Sequence, residues 1–374
     1  MTHIGLNAHL LSGTAGYRSA GIHGYIFHVL AHLKAAAPPD WRFTALLGPS
    51  SRAAFEGIDL RRSRWDTEHP LRRILWEQLA QPWQLGDFDL VHALAFVSPL
   101  ILSRPSVVTV YDLSFIHFPQ VLPAARRLYL RLFTRLSCQR ARRVIAISQS
   151  TARDLTAALG ISPSKIDIAL PGYDALAYHP LPAEQIRAFR AAKDLPDRFW
   201  LFLGTLEPRK NLPMLLRAYA AIPPASRLPL ILAGGKGWDY EPIFQAASQL
   251  GLEGQVRFPG YVPVEDLPLW YNSAEAFVYP SVYEGFGLPV LEAMACGTPV
   301  IVSSASSLPE VAGTVGVCIR PDDEPAWTAA LVRAAEDSRW RQDARERGLQ
   351  QASQFGWRHT AERTIASYRQ ALMG

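Results

Sequence analysis

The sequence predicts an α/β protein of two doubly wound domains, and three observations lead there. The chain has 374 residues, more than one hydrophobic core usually organises. Short apolar runs bounded by turn residues alternate with helical stretches almost throughout. Past a turn-rich segment near the middle, the alternation starts afresh.

Taken in order, residues 1–9 open on a short strand pattern. A glycine cluster, Gly13, Gly16, Gly21 and Gly24, then precedes a helical stretch at 25–34. The runs at 107–110 and 144–147 read as buried parallel strands. Between them, 124–139 reads as a helix, with Leu128, Leu132 and Leu136 four apart and Arg127, Arg131 and Arg135 repeating beside them. That spacing predicts leucines packed inward and arginines turned outward. Turn residues at 171–174 and again at 194–197 mark the boundary, so the domains are expected at 1–174 and 175–356. The second contains strand runs at 200–203, 230–233, 276–279 and 299–302, and a helix at 213–220. An amphipathic helix from 357 closes the chain, with Ala361, Ile365 and Tyr368 spaced for one face.

Composition narrows the class. Hydrophobic residues are 49% and charged residues 19%, which suits a folded soluble protein. No apolar run reaches the roughly 20 residues that span a bilayer, and no basic-then-apolar leader opens the chain. Cys138, Cys296 and Cys318 are odd in number and far apart, so they read as reduced, core or near-core thiols of a cytoplasmic protein. The net charge of +5 gathers in the N-terminal half, at Arg61, Arg62, Arg64, Arg72 and Arg73 and between Arg126 and Arg143. Such a field attracts anionic lipid, a phosphorylated acceptor or nucleic acid; a merely solvated basic surface fits equally.

Ligands of doubly wound sheets bind beyond the carboxyl ends of the strands, so motifs that follow strands carry the chemistry. The segment Tyr283-Glu284-Gly285-Phe286-Gly287-Leu288-Pro289 follows the run at 276–279. Pro289 suits a first helical turn, Gly285 and Gly287 allow close backbone approach, and amides around Phe286, Gly287 and Leu288 are placed to face an anion. Glu284 before this helix and Glu292 inside it can grip hydroxyls at two points of an extended polar ligand; a helix cap and a surface residue are the plainer alternative. The turn Gly204-Thr205-Leu206-Glu207-Pro208-Arg209-Lys210-Asn211 follows the run at 200–203. Adjacent cations there suit a diphosphate, the guanidinium bidentate and the ammonium a point charge. Asp112 follows the run at 107–110, with Tyr111 and His117 nearby; loop-stabilising hydrogen bonds are the plainer role for Asp112 and His117. Asp87-Phe88-Asp89 precedes a strand and so lies at the wrong end of a sheet for a metal site.

Together these segments resemble the retaining nucleotide-sugar glycosyltransferases of family 4 / group 1, with the GT-B fold. Glu284 and Glu292 match that family's paired-glutamate signature, and Glu207 to Asn211 its diphosphate-binding turn. Val256-Arg257-Phe258-Pro259-Gly260-Tyr261-Val262, Gly297-Thr298-Pro299 and Leu308-Pro309-Glu310 follow in order. A narrower likeness is to bacterial polysaccharide mannosyltransferases.

The resemblance implies two Rossmann-like domains facing a central cleft, with 357–374 crossing back onto the first. It implies catalytic roles for Arg209, Lys210, Glu284 and Asp112. Donor contacts would come from Glu292 on the ribose, Gly204, Gly285, Phe286, Gly287 and Leu288, and from Tyr261 and Val262 near the base. Gly24, Tyr111 and His117 would lie on the acceptor side, although His23-Gly24 and Tyr111 depart from the family's usual glycine-arginine and histidine. The implied reaction is front-face transfer of a hexose, from GDP-mannose or a UDP-sugar, to a glycan or lipid-linked acceptor. No metal, no cofactor and no nucleic acid are expected, and peripheral contact with an anionic membrane is. A non-catalytic nucleotide-sugar-binding protein or a GT-B epimerase is the competing reading.

Overall fold

The computed structural model describes all residues except 12–20, 50, 64, 66–69 and 374, and for 70, 71 and 121 the backbone alone. Gly13, Gly16 and Arg64 therefore lie outside the described residues. The chain divides into two compact units, Met1–Gly172 with Gly356–Gly374, and Tyr173–Phe355.

The first unit is built on a seven-stranded parallel sheet of β1 (His3–Asn7), β2 (Arg42–Leu47), β3 (Ile58–Arg62), β4 (Leu90–Ala93), β5 (Ser106–Val110), β6 (Arg143–Ala146) and β7 (Ile166–Ile168). Its order is β3-β2-β1-β4-β5-β6-β7. The second carries β8 (Trp200–Leu203), β9 (Leu230–Ala233), β10 (Val256–Gly260), β11 (Ala276–Tyr279), β12 (Val300–Ser303) and β13 (Val317–Ile319), ordered β10-β9-β8-β11-β12-β13. The central strands are apolar and buried, as parallel strands covered by helices on both faces must be. In each sheet the strand order reverses beside the first strand, between β1 and β4 and between β8 and β11. At that point successive crossovers leave to opposite faces, which opens a crevice at the carboxyl ends.

The closing helix, Trp357–Met373, belongs to the first unit. Trp357 stacks on His28 with ring centroids 4.8 Å apart, and Ala361, Ile365 and Tyr368 are all buried. The Tyr368 hydroxyl lies 2.6 Å from His92 Nδ1, while His92 Nε2 lies 2.8 Å from Thr109 Oγ1. Gly172 permits the crossing, because a Cβ there would sit 2.3 Å from the Trp357 amide nitrogen.

Four expectations are corrected. The turn-rich boundary contains a helix, Ala183–Ala192, whose Phe189 packs edge-on against Trp270 at 5.6 Å. Gly24 stands inside the first helix, Ile22–Ala36, rather than before it; Gly21, at φ 75°, caps that helix. Cys318 is exposed, while Cys138 and Cys296 are buried. The helix Ala124–Arg140 turns Leu128 and Leu132 outward, and its buried residues are Thr134, Ser137 and Cys138. Leu130, outside the predicted repeat, packs on the core beside Cys138, and of the repeat Leu136 alone is half-buried.

Candidate active site

The crevice of the second unit collects the charged residues. Leaving β8, the chain makes a short 3-10 turn, Pro208–Lys210, closed by Asn211 in the left-handed region at φ 57°. Asn211 tolerates this conformation better than most residues, and its Nδ2 donates to the carbonyl of Pro321 at 2.7 Å. Leaving β11, residues 280–287 lead into the helix Leu288–Ala295, with Gly287 at φ 119° as its cap. A Cβ on Gly287 would lie 2.8 Å from Leu308 Cδ2. The hydroxyls of Ser306 and Ser307 both donate to the Glu284 carbonyl, at 2.6 and 2.9 Å, and fix the loop from the neighbouring strand end.

These two turns meet through ion pairs. Lys210 Nζ lies 2.6 Å from Glu284 Oε1, and Arg209 Nη1 lies 2.9 Å from Glu284 Oε2. Arg209 also donates from Nε and Nη2 to Glu207 Oε1, at 2.9 and 2.6 Å, and from Nη1 to the carbonyl of Tyr283 at 2.6 Å. Lys210 donates its second proton to the Tyr279 hydroxyl at 2.6 Å, which leaves a third ammonium proton for a ligand. Burial on its own would raise the Glu284 carboxyl; Arg209 and Lys210 outweigh it and hold the group at about 2. Burial lowers the Lys210 ammonium and Arg209 lowers it further, against the pull of Glu284. Arg209, Lys210, Glu207 and Glu284 sum to zero charge, so the cluster is neutral while it holds no anion.

One helical turn further on, Glu292 is in a different state. Burial raises its carboxyl to about 7, against hydrogen bonds from Tyr271 and Tyr178. The Tyr271 hydroxyl donates to Glu292 Oε2 at 2.9 Å. The two glutamates are thus separated in kind, one an anion clamped between cations and one a carboxyl poised near neutrality. Three glycines at strand ends shape the floor: Gly234 follows β9, donates to the Gly260 carbonyl at 2.7 Å, and would bring a Cβ to 1.9 Å from the Gly204 carbonyl oxygen. After β10, Tyr261 is exposed and Val262 buried.

Comparison with known proteins follows the same division. The profile for glycosyl transferases group 1 matches residues 184–351, and that for glycosyltransferase family 4 matches residues 22–175. The O-antigen chain mannosyltransferase B of Escherichia coli is 36% identical over 293 residues, 77% of each chain. The chain belongs to the group 1 glycosyl transferases. Among solved structures, the sucrose-phosphate synthase of Thermosynechococcus elongatus superposes with a TM-score of 0.77 at 23% identity, over 99% of both chains. Anabaena HepE, solved with UDP and glucose, superposes at 0.75 and 21% identity, again over 99% of each. These likenesses establish the GT-B fold of two Rossmann-like domains, and the protein is a glycosyltransferase.

The remaining candidates of this glycosyltransferase lie in the first unit, held by local bonds. Asp112 Oδ1 accepts from the Ser114 amide and hydroxyl, at 2.9 and 2.8 Å, and starts the short helix Ser114–His117. His117 Nε2 lies 3.4 Å from Asp154 Oδ2. Tyr111 is buried, and its hydroxyl donates to the Leu94 carbonyl at 2.6 Å. A Cβ on Gly24 would meet nothing within 4 Å, so space does not demand glycine there.

Sequence reasoning missed Tyr279, Tyr271 and Tyr178, the hydroxyls that hold Lys210 and Glu292. Tyr279 ends a strand run that is otherwise wholly apolar, and a polar-tipped residue in that place was the available signal. It also missed His9, which follows β1 at the crevice of the first sheet. His9 is buried edge-on to Trp76 at 4.3 Å, with neither ring nitrogen bonded among the described residues, and burial lowers its imidazole to about 3.

Proposed function

We propose that this glycosyltransferase moves mannose from GDP-mannose to a polysaccharide or lipid-linked glycan acceptor, with retention at the anomeric carbon. Support comes first from Arg209 and Lys210 at the switch point of the second sheet, where two fixed cations and the first amides of the helix Leu288–Ala295 suit a departing diphosphate. The C1–O bond to the diphosphate breaks as that charge is stabilised. The acceptor oxygen bonds C1 on the same face, and its proton passes to the leaving oxygen. Glu284 is too acidic and too tightly paired to act as a base, which favours a reaction that needs none. In this reading Glu292 takes the ribose hydroxyls. No metal or cofactor is proposed; Arg209, Lys210 and the helix amides are the donors offered to the diphosphate. Mannose is favoured by the activity named for the Escherichia coli relative. A UDP-sugar donor is the second reading, favoured by the UDP and glucose held by HepE. The excess of arginine in the first unit suits an acceptor presented at an anionic membrane.

The test is turnover with GDP-mannose and with UDP-glucose on a water-soluble mannoside, in excess chelator, with product anomers assigned by NMR. Lys210→Ala is expected to lower turnover by about 10²–10³. Near-normal turnover of Lys210→Ala, an inverted product, or activity that appears only with added magnesium or manganese would each overturn its part of the proposal.

A further inference from the structure

The outward turn of Leu128 and Leu132 points to how the first unit meets its surroundings. At about 100° per residue, Leu128, Arg131, Leu132 and Arg135 share the outer face of the helix Ala124–Arg140, with the buried Ser137 opposite. Leu128 is 66% exposed and Leu132 48%. Arg131 and Arg135 are exposed and have no carboxylate within ion-pair reach among the described residues.

A second apolar row stands next to this one. Leu75, Leu79 and Trp83 are all exposed at four-residue intervals along the successive helical turns Pro70–Leu75, Trp76–Ala80 and Gln81–Gln84, and Trp83 reaches 88%. Hydrogen bonds tie the rows together through the loop after β4. Gln78 Nε2 donates to the Ser98 carbonyl at 3.4 Å, its Oε1 accepts from the Leu100 amide at 3.1 Å, and Arg140 Nη1 donates to the Leu100 carbonyl. That loop adds Ile101, 76% exposed. Tyr129, on the helix flank next to the leucines, is near enough to Arg73 and Glu77 of the second helical segment for their charges to act on its hydroxyl.

The charge around this surface is mainly positive, and the Glu77 carboxyl near Tyr129 is raised by burial to about 7. Residues 113–153 hold eight arginines and no aspartate or glutamate. A soluble face rarely exposes so many large apolar side chains together without a partner, and the surrounding charge selects an anionic one.

We propose that Leu128 and Leu132 with Leu75, Leu79, Trp83 and Ile101 form a surface that inserts shallowly into an anionic lipid bilayer, while Arg131 and Arg135 engage its head groups. This deepens the membrane-side acceptor reading above by naming the face and the mode of contact. Apolar insertion gives affinity that salt does not screen, and each arginine adds a screened part. Trp83 has the ring preferred at a lipid–water boundary. Among the described residues no helix is long and apolar enough to cross a membrane, so the contact is to one face.

The test is flotation of the full chain with phosphatidylglycerol/phosphatidylethanolamine vesicles and with phosphatidylcholine vesicles, at low and high salt. Turnover on a water-soluble mannoside is measured in parallel. The wild type is expected to float with the anionic vesicles and to retain part of that binding at high salt. Leu128→Ser with Leu132→Ser is expected to lower partitioning at least about tenfold at both salts. Arg131→Gln with Arg135→Gln is expected to lower it at low salt only. Soluble-acceptor turnover should stay unchanged in both, because neither pair touches the donor site. Wild-type partitioning by the leucine variant would overturn the surface, as would binding that high salt abolishes completely. A lipid-free dimer dissolved by the leucine substitutions would overturn it in favour of a second copy of the chain. Lack of turnover by the wild type with either donor would strike the functional proposal and leave the vesicle result standing.

Discussion

Replacing Glu284 with glutamine removes the carboxylate shared by Arg209 and Lys210. With contacts of 2.9 and 2.6 Å, each pair attracts by about 6 kcal/mol at an effective dielectric of about 20. Desolvation offsets much of this, and losing one partner of a buried pair leaves a net cost of about 3–5 kcal/mol. Glutamine keeps an acceptor oxygen, so the lower end, about 3 kcal/mol, is expected. For a unit the size of Tyr173–Phe355 that corresponds to a fall in Tm of about 6–12 °C.

The sign with pH is fixed by the depressed carboxyl. Its contribution is fully present above the ordinary value of 4.5 and is lost as pH falls towards about 2. The gap between wild type and Glu284→Gln should therefore hold from pH 8 to pH 5 and shrink below that. Charge adds a second consequence. The four-residue cluster is neutral in the wild type and carries one positive charge in the variant. The thermal shift produced by saturating nucleoside diphosphate should then be at least as large in Glu284→Gln as in the wild type, while sugar transfer falls. Differential scanning fluorimetry across pH, with and without nucleoside diphosphate, measures both. An unchanged Tm would falsify the buried-pair account, and a smaller nucleotide shift would refute the charge balance.

Glu292 should impose the opposite slope. Its raised carboxyl keeps a proton in the folded state that the unfolded chain has released, so its contribution to stability declines as pH rises from about 4.5 to about 7. Nucleoside diphosphate affinity should gain from ionisation of Glu292 between pH 6 and 8, seen by calorimetry as a steeper rise in the wild type than in Glu292→Gln; parallel slopes would remove the ribose assignment. In the first unit, Tyr368→Phe strips the partner from His92 Nδ1, a neutral buried imidazole lowered to about 3. A loss of about 1–3 kcal/mol in urea unfolding is expected, with nucleotide affinity unchanged; an unaltered midpoint would show that the bond contributes nothing.

How much was legible in the sequence depended on how local each cause is. The runs at 200–203, 230–233 and 276–279 matched β8, β9 and β11 to the residue, because central parallel strands are apolar on both faces and end at turns. The edge strands β3, β7, β10 and β13 expose one side to solvent and dilute that signal with polar residues. The helix Ala183–Ala192 hid among turn residues because its burial rests on one side chain, Phe189, against a distant Trp270.

By itself, the sequence determined the two-fold α/β alternation, the family, and the positions of Arg209, Lys210, Glu284 and Glu292 after strands. These follow from side-chain type and spacing along a few residues. Only the tertiary structure decided which charges meet. Glu284 and Lys210 are 74 residues apart in the chain and 2.6 Å apart in space, and Glu292 differs from Glu284 because tyrosines rather than cations surround it. It also decided which face of the helix Ala124–Arg140 is inward. A leucine repeat states that a stripe exists, but burial depends on what lies beneath, and there Thr134, Ser137, Cys138 and Leu130 face the core while Leu128 and Leu132 do not.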